Sequence, residues 1–260
     1  MGLDGPLAAA SWTARRWLRG ALDVVMPPLA LDEGPHGARV QNAGLTAERW
    51  GRISFLEAPV CDGCGAALEY DLGEGARCPA CLARRRAFDR ARAAVLYDEH
   101  SRDLILKLKH ADRTDLAGLF AAWLARSARD LLADADFVVP VPLHPLRLMA
   151  RRFNQAAEVA RPLARLSGVR YLPGAVVRTR RTPSQGGRSA AGRRRNVAAA
   201  FACPKRMWPR IEGRRLVLVD DVLTTGATVE ACARVLKAAG AARVDVAAVA
   251  RVKETSLRPT

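Results

Sequence analysis

The 260-residue chain has no run of about 18 uncharged apolar residues, so no membrane-spanning helix is expected. Its six cysteines are too sparse for a disulfide-stapled miniprotein. Lysine is scarce: five of the 42 basic residues are Lys and the rest are Arg. That skew, in a chain rich in Ala, has the look of a GC-rich genome rather than of selection for phosphate binding. No GKS or GKT is present, which excludes a Walker A loop, and no GxGxxG, which excludes the dinucleotide fingerprint. No repeat at a solenoid period is found. The apolar stretch from Ala21 to Leu31 follows three arginines, but Asp23 and Pro27-Pro28 interrupt it and no small-residue cleavage site follows. A secretory signal is therefore not expected. An amphipathic helix from about Ala8 to Met26, ended by the two prolines, is. Pro6 stands where an N-myristoylation signal needs Ser or Thr. A cytoplasmic location is the expectation.

The hydrophobic fraction of 50% and charged fraction of 26% suit a soluble globular chain, which excludes disordered, fibrous and collagen-like classes. The net charge of +16 implies an anionic partner: nucleic acid, a phosphorylated metabolite or an acidic lipid head group. The excess is local. The 38 residues from Arg178 to Arg215 hold eleven Arg and Lys205 against Glu212 alone, which is +11 of the total. Pro183, Gly186, Gly187 and Gly192 keep this segment from being one helix. Its arginines suit a phosphate-bearing anion, and a single-stranded DNA contact or a solvated basic loop are the other readings. DNA stacking needs aromatic faces, and the segment offers only Phe201 and Trp208.

The pattern along the chain changes twice. Residues 1–58 read as a helix and an irregular, first ribbon-like stretch, and 59–92 as a cysteine-bearing ribbon ending in Arg84-Arg85-Arg86. Residues 93–260 read as one α/β domain. Within it, strands at 93–97, 137–141, 215–220 and 243–252 alternate with helices at 101–109, 114–133, 154–166 and 227–239, with a further extended segment at 169–177. Such alternation argues for a mostly parallel sheet flanked by helices.

Two motifs carry chemistry. Cys61-Asp-Gly-Cys64 and Cys78-Pro-Ala-Cys81, 13 residues apart, can close four thiolates around one Zn²⁺. With all four ligands supplied by protein the site is structural, and free or redox-active thiols are the alternative. Cys203 and Cys232 stand alone and read as small hydrophobes. The second motif is Leu216-Val-Leu-Val-Asp220-Asp221-Val-Leu-Thr224-Thr225-Gly226-Ala227-Thr228. An apolar strand delivers two carboxylates, and a hydroxyl- and glycine-bearing loop then opens a helix. Backbone N–H groups at that helix N-terminus suit a phosphate, and the acids suit ribose hydroxyls or a Mg²⁺. The bland alternative is a strand-to-helix turn with a threonine cap.

Segment 216–228 resembles the signature of type I phosphoribosyltransferases. The resemblance implies that Asp220 and Asp221 take the ribose hydroxyls of phosphoribosyl pyrophosphate (PRPP) and act in catalysis, and that Thr224, Thr225, Gly226, Ala227 and Thr228 take its 5-phosphate, with Mg²⁺ accompanying the ligand. Pro140-Val-Pro142-Leu-His144 with Arg151-Arg152-Phe153-Asn154-Gln155 is similar to the PVP…RxFNQ block of ComF-type competence proteins. Arg188, Arg195-Asn196-Val197 and Phe201 resemble that family's block upstream of the loop, and Leu106 to Lys109 has its counterpart. The family pairs a double zinc ribbon with a phosphoribosyltransferase-like domain and is associated with DNA uptake. The resemblance thus implies a pyrophosphate loop over 140–152 with Arg151 and Arg152 (or Arg147) on the leaving group, and a mobile basic flap over 178–215 that closes on the pyrophosphate. His144, between prolines and without a recognisable carboxylate partner, reads as a surface or packing residue. Zinc, single-stranded DNA and a competence helicase come with it as cofactor and partners. The expected first pair of ribbon cysteines falls near Ala30, Glu33, Thr46 and Arg49, none of them Cys. That ribbon is expected to be degenerate and held by Leu29, Leu31, Trp50, Ile53 and Phe55. Three functions stay open: a PRPP-binding factor in DNA uptake, an active phosphoribosyltransferase of nucleotide metabolism, and a zinc-stabilised scaffold binding single-stranded DNA.

Overall fold

The computed structural model describes Leu31 and residues 44–110, 113–143, 153–179 and 200–253. The expected helix over 8–26, His144, Arg147, Arg151, Arg152 and the basic stretch 180–199 lie outside the described residues. The chain divides into two units, one ending at Arg52 and one beginning at Ile53. In the first, Leu31 and Leu45 are buried, and the Leu31 N–H donates to the Gly44 carbonyl. Helix α1 (Ala47–Gly51) is capped by Thr46, whose hydroxyl accepts from the Arg49 N–H. Two of the four positions aligned with ribbon cysteines, Thr46 and Arg49, thus form a helix cap.

The second unit opens with residues 54–56 bridged antiparallel onto an edge of the sheet, and Phe55 packs edge-on against Trp123 at 5.2 Å. Ile53 and Phe55 therefore belong to this unit rather than to the first ribbon. The cysteine segment follows and contains α2 (Pro79–Ala83). Next come β1 (Ala91–Leu96), α3 (Glu99–His110), α4 (Leu116–Ser127), α5 (Arg129–Leu132), β2 (Phe137–Pro140), α6 (Gln155–Ser167) and β3 (Arg170–Tyr171). A two-stranded antiparallel pair, β4 (Val177–Arg178) with β5 (Phe201–Ala202), is followed by a 3₁₀ turn (Lys205–Met207) and α7 (Trp208–Ile211). The chain closes with β6 (Arg215–Leu223), α8 (Ala227–Ala238) and β7 (Arg243–Arg251).

The main sheet has the order β1-β7-β6-β2-β3, and every pairing in it is parallel. Its central strands read as near-continuous apolar runs, with Asp245 the exception in β7, because both faces are covered. Leu216 to Val219 and Val244 to Ala250 are buried throughout. From β1 to β2 to β3 the chain moves one way across the sheet; from β6 to β7 it moves the other way. Right-handed crossovers then put α4 and α6 on one face and α8 on the other. Accordingly α4 packs against α6, while α8 packs against β5, β6 and β7. The reversal falls between β6 and β2, and ligands of open α/β sheets bind outside the carboxyl ends of the strands at such a switch point.

Several sequence expectations change. The helix expected over 114–133 breaks at Ala128 into α4 and α5. The extended segment at 169–177 splits into Arg170–Tyr171 on the main sheet, a turn at Gly174, where φ is +75°, and Val177 at the start of β4. The region after residue 200 is ordered by Met207 and Ile211, both buried. At the amino ends of the strands an ion-pair network ties the sheet together. Asp245, buried on β7, accepts from Arg90 at 2.8 Å and from Arg243 at 3.0 Å. Arg243 also pairs with Asp134.

Candidate functional site

The switch point is where the two acids emerge. Val219 lies beside Pro140, and the Val141 N–H donates to the Val219 carbonyl, so the ends of β6 and β2 are locked together. Asn154 holds the far end of the same loop. Its side chain caps α6 by accepting from the Ala156 N–H and donates to the Val141 carbonyl at 3.0 Å. The strand also runs four residues past the apolar run that ends at Val219, pairing Asp220 with Ala248 and Val222 with Ala250. Asp220 and Asp221 are thus held by a rigid ladder rather than by a loose turn.

Both carboxylates are half-buried. The Asp221 N–H donates to Asp220 Oδ1 at 2.9 Å, and Lys109 Nζ on α3 lies 2.7 Å from Asp221 Oδ2. Burial, with the adjacent Asp221 charge adding to it, pushes the Asp220 carboxyl up to about 8; the Asp221 N–H and the Lys109 ammonium act against that rise. An acid in this state is short of a cation. The donor set is oxygen only, which suits a hard divalent ion or sugar hydroxyls.

Beyond Leu223 the backbone swings into α8 through Gly226, which sits at the helix N-cap with φ of +79°. L-residues with a side chain rarely adopt that conformation. Thr224 is exposed, Thr225 and Thr228 are half-buried, and Gly226 and Ala227 are buried. The structure therefore gathers Asp220, Asp221 and residues 224–228 at one end of β6, where free N–H groups and the helix dipole favour an anion. A cavity of about 300 Å³ lies alongside at the ends of β2 and β3, lined by Pro140, Pro142, Asn154, Tyr171 and Val176.

A buried acid sits inside this anion-favouring turn. Glu230, in the first turn of α8, is 2% exposed. Arg84 grips it with Nη1 at 3.1 Å and Nη2 at 2.5 Å, and Arg86 Nη1 reaches it at 3.1 Å. Burial alone would raise the Glu230 carboxyl; the two arginines override that and hold it below the usual carboxylate range. Arg86 Nη1 also donates to the Thr225 carbonyl at 3.0 Å. In the sequence Arg84 to Arg86 read only as the basic run that ends the ribbon. A lone acid among Ala227, Val229, Ala231 and Cys232 was the available signal that a buried cation must face this helix.

The four ribbon cysteines converge. All four are buried and their sulfurs lie within 4.8 Å of one another. Cys64 Sγ and Cys78 Sγ are 3.6 Å apart. With Zn–S bonds of about 2.3 Å, a tetrahedral site has sulfur–sulfur edges of about 3.8 Å, so the cluster has the right size to hold such a metal. The Cys78 N–H donates to Cys61 Sγ at 3.2 Å. The Cys64 thiol hydrogen bond, with this N–H, holds the Cys61 thiol well below its usual range; the same hydrogen bond, with burial, pushes Cys64 up. Gly65, with φ of +69°, has no room for a side chain: a Cβ there would lie 2.7 Å from the Ala91 carbonyl oxygen. Arg251, buried at the end of β7, donates to the Cys64 carbonyl at 2.7 Å, and Arg92 pairs with Asp62 at 2.9 Å. The ribbon is therefore pinned to the sheet.

Phe201, one of two aromatics available for base stacking in the basic segment, is buried, with the Arg178 guanidinium 5.3 Å from its ring centre. Among the described residues no helix is long and apolar enough to cross a membrane.

Residues 134–260 match the family model described as "Phosphoribosyl transferase domain". The chain is 32% identical over 200 residues to competence protein F of Haemophilus influenzae, covering 74% of this chain and 85% of that one. It is also 32% identical over 214 residues to the DNA utilization protein YhgH of Escherichia coli K12, covering 78% and 91%. Among solved structures, a glutamine PRPP amidotransferase from B. subtilis aligns with 54% of this chain and 26% of its own, at 26% identity and a TM-score of 0.34.

Proposed function

Because this chain belongs to the ComF family of competence proteins and carries a type I phosphoribosyltransferase-like fold, we propose that it binds PRPP at residues 220–228 and serves DNA uptake or utilisation. The observation that carries this reading is the end of β6: two adjacent half-buried carboxylates at the topological switch point, followed at once by a glycine-capped helix N-terminus. Asp220 and Asp221 would meet the ribose hydroxyls, and the N–H groups and hydroxyls of 224–228 the 5-phosphate. Mg²⁺, held with the ligand by the same oxygens, would supply neutralisation of diphosphate charge. Lys109 fills part of that role towards Asp221. Arg151 and Arg152 are proposed on the pyrophosphate side. The four cysteines hold a structural zinc in this reading, and residues 59–92 form the ribbon of the domain over 93–260. The binding reading is favoured over a DNA scaffold because Arg84 and Arg86 are spent on Glu230 and Phe201 is buried.

Thermal unfolding tests the binding. PRPP with Mg²⁺ should raise the midpoint of the zinc-loaded chain, and the effect should vanish in Asp220→Asn/Asp221→Asn. An equal rise in the double variant would refute the assignment. Pyrophosphate release with purine, pyrimidine and orotate acceptors then separates an active transferase from a binding factor.

A further inference from the structure

We infer that Arg86 is a positioning residue that ties the phosphate loop to the cysteine cluster, so that metal in the cluster and a sugar phosphate at the loop strengthen each other's binding. This rests on the proposed reading of residues 220–228. The geometry comes from one guanidinium set between the ribbon and the loop. On one side Arg86, whose side chain is 11% exposed, shares the wall of a small cavity with Cys81 and Gly63. On the other it holds Glu230 Oε1 at 3.1 Å and the Thr225 carbonyl at 3.0 Å. Its Nη1 also lies 3.6 Å from where a Cβ on Gly226 would stand, so it sits directly beneath the loop. Because Arg86 stands two residues past the Arg84 cap of the helix that carries Cys81, and its guanidinium is a rigid planar fork, displacement of that helix is transmitted to the loop.

What the loop gains is orientation. The Thr225 carbonyl and the Gly226 N–H share one planar trans peptide and point in opposite directions. Drawing the carbonyl onto Arg86 turns the Gly226 N–H towards the opposite face of the loop. That aims a donor, carried by the αL residue that caps α8, at an incoming phosphate. The cysteine end is equally well connected. Cys81 lies in α2, Arg84 caps that helix at its carboxyl end, and both Arg84 and Arg86 end on Glu230. Residues 78–86 thus form one short strap that joins the second CxxC turn to the first turn of α8. A tetrahedral metal fixes the Cys81 sulfur in place and so fixes the strap, and ordering of the loop by a phosphate is returned through the same contacts. Linkage makes the coupling reciprocal.

The test uses the full chain, with chelator competition to measure zinc affinity and direct titration to measure PRPP affinity. In the wild type, saturating PRPP with Mg²⁺ should raise zinc affinity roughly fivefold or more, and zinc should raise PRPP affinity by the same factor. Arg86→Lys, which keeps the charge but cannot span all the partners, should bind one zinc per chain and lose the coupling. Arg85→Lys, at the neighbouring exposed position, should keep it. PRPP binding that leaves zinc affinity unchanged in the wild type, or full coupling in Arg86→Lys, overturns the inference alone. Absence of PRPP binding to the zinc-loaded wild type overturns the reading of the loop, and this inference with it.

Discussion

Asp220 offers the sharpest prediction. Its carboxyl is raised to about 8 by burial and by Asp221. A folded value above the ordinary carboxylate value favours the protonated form, so the stability it contributes is present at low pH and is lost as pH rises through about 8. A cation-bearing ligand needs the ionised form and must expel that proton. At pH 7 the group holds about 0.9 proton and at pH 9 about 0.1, and each pH unit gained below the midpoint strengthens ligand binding roughly tenfold, about 1.4 kcal/mol. The assay is calorimetric titration of PRPP with Mg²⁺ in two buffers of different ionisation enthalpy, at both pH values. Proton release should be close to one at pH 7, nearly absent at pH 9, and missing in Asp220→Asn; titration of the ligand's own phosphates cancels in that comparison. Lys109→Met removes an ammonium that opposes the rise, so the midpoint should move higher. Equal proton counts in wild type and Asp220→Asn, or a wild-type affinity flat from pH 6 to 8, would refute the reasoning.

Other consequences are smaller but specific. Gly65→Ala, with a Cβ driven 2.7 Å from a backbone oxygen, should cost about 3 kcal/mol or more in urea unfolding, against about 1–2 for Gly226→Ala, whose nearest neighbour is 3.6 Å away. The reverse order would contradict the packing. Metal analysis should find about one zinc per chain, reduced by Cys78→Ser; four titratable thiols and no metal would remove the ribbon site. Asp245→Ala strands Arg90 and Arg243 beside a buried gap and should cost about 3 kcal/mol by chemical denaturation. A loss within error of zero would show the network to be dispensable.

How much of this was readable in the chain depends on distance along it. The phosphate loop was legible because its parts are contiguous: an apolar run, two acids and a glycine-bearing turn before a helix. The cysteines were legible because metal geometry fixes their spacing. The parallel sheet followed from alternation of strands and helices. The end of β6 was not legible, since two acids look like the close of a strand, yet the ladder to β7 carries through them. Nor was the break at Ala128, which no proline or glycine marks. The contacts that shape the site join residues far apart: Lys109 to Asp221, Arg84 and Arg86 to Glu230, Arg251 to Cys64. In sequence these are ordinary charges, and only the fold shows which of them are buried and paired.

The central claim is that residues 220–228 form a PRPP site. A calorimetric titration of the zinc-loaded chain with PRPP and Mg²⁺ at pH 8 tests it most directly. One saturable site per chain, lost in Asp220→Asn/Asp221→Asn while zinc content and unfolding midpoint without ligand stay close to wild type, is the predicted result. Absence of binding in the wild type, or equal affinity in the double variant, would contradict it.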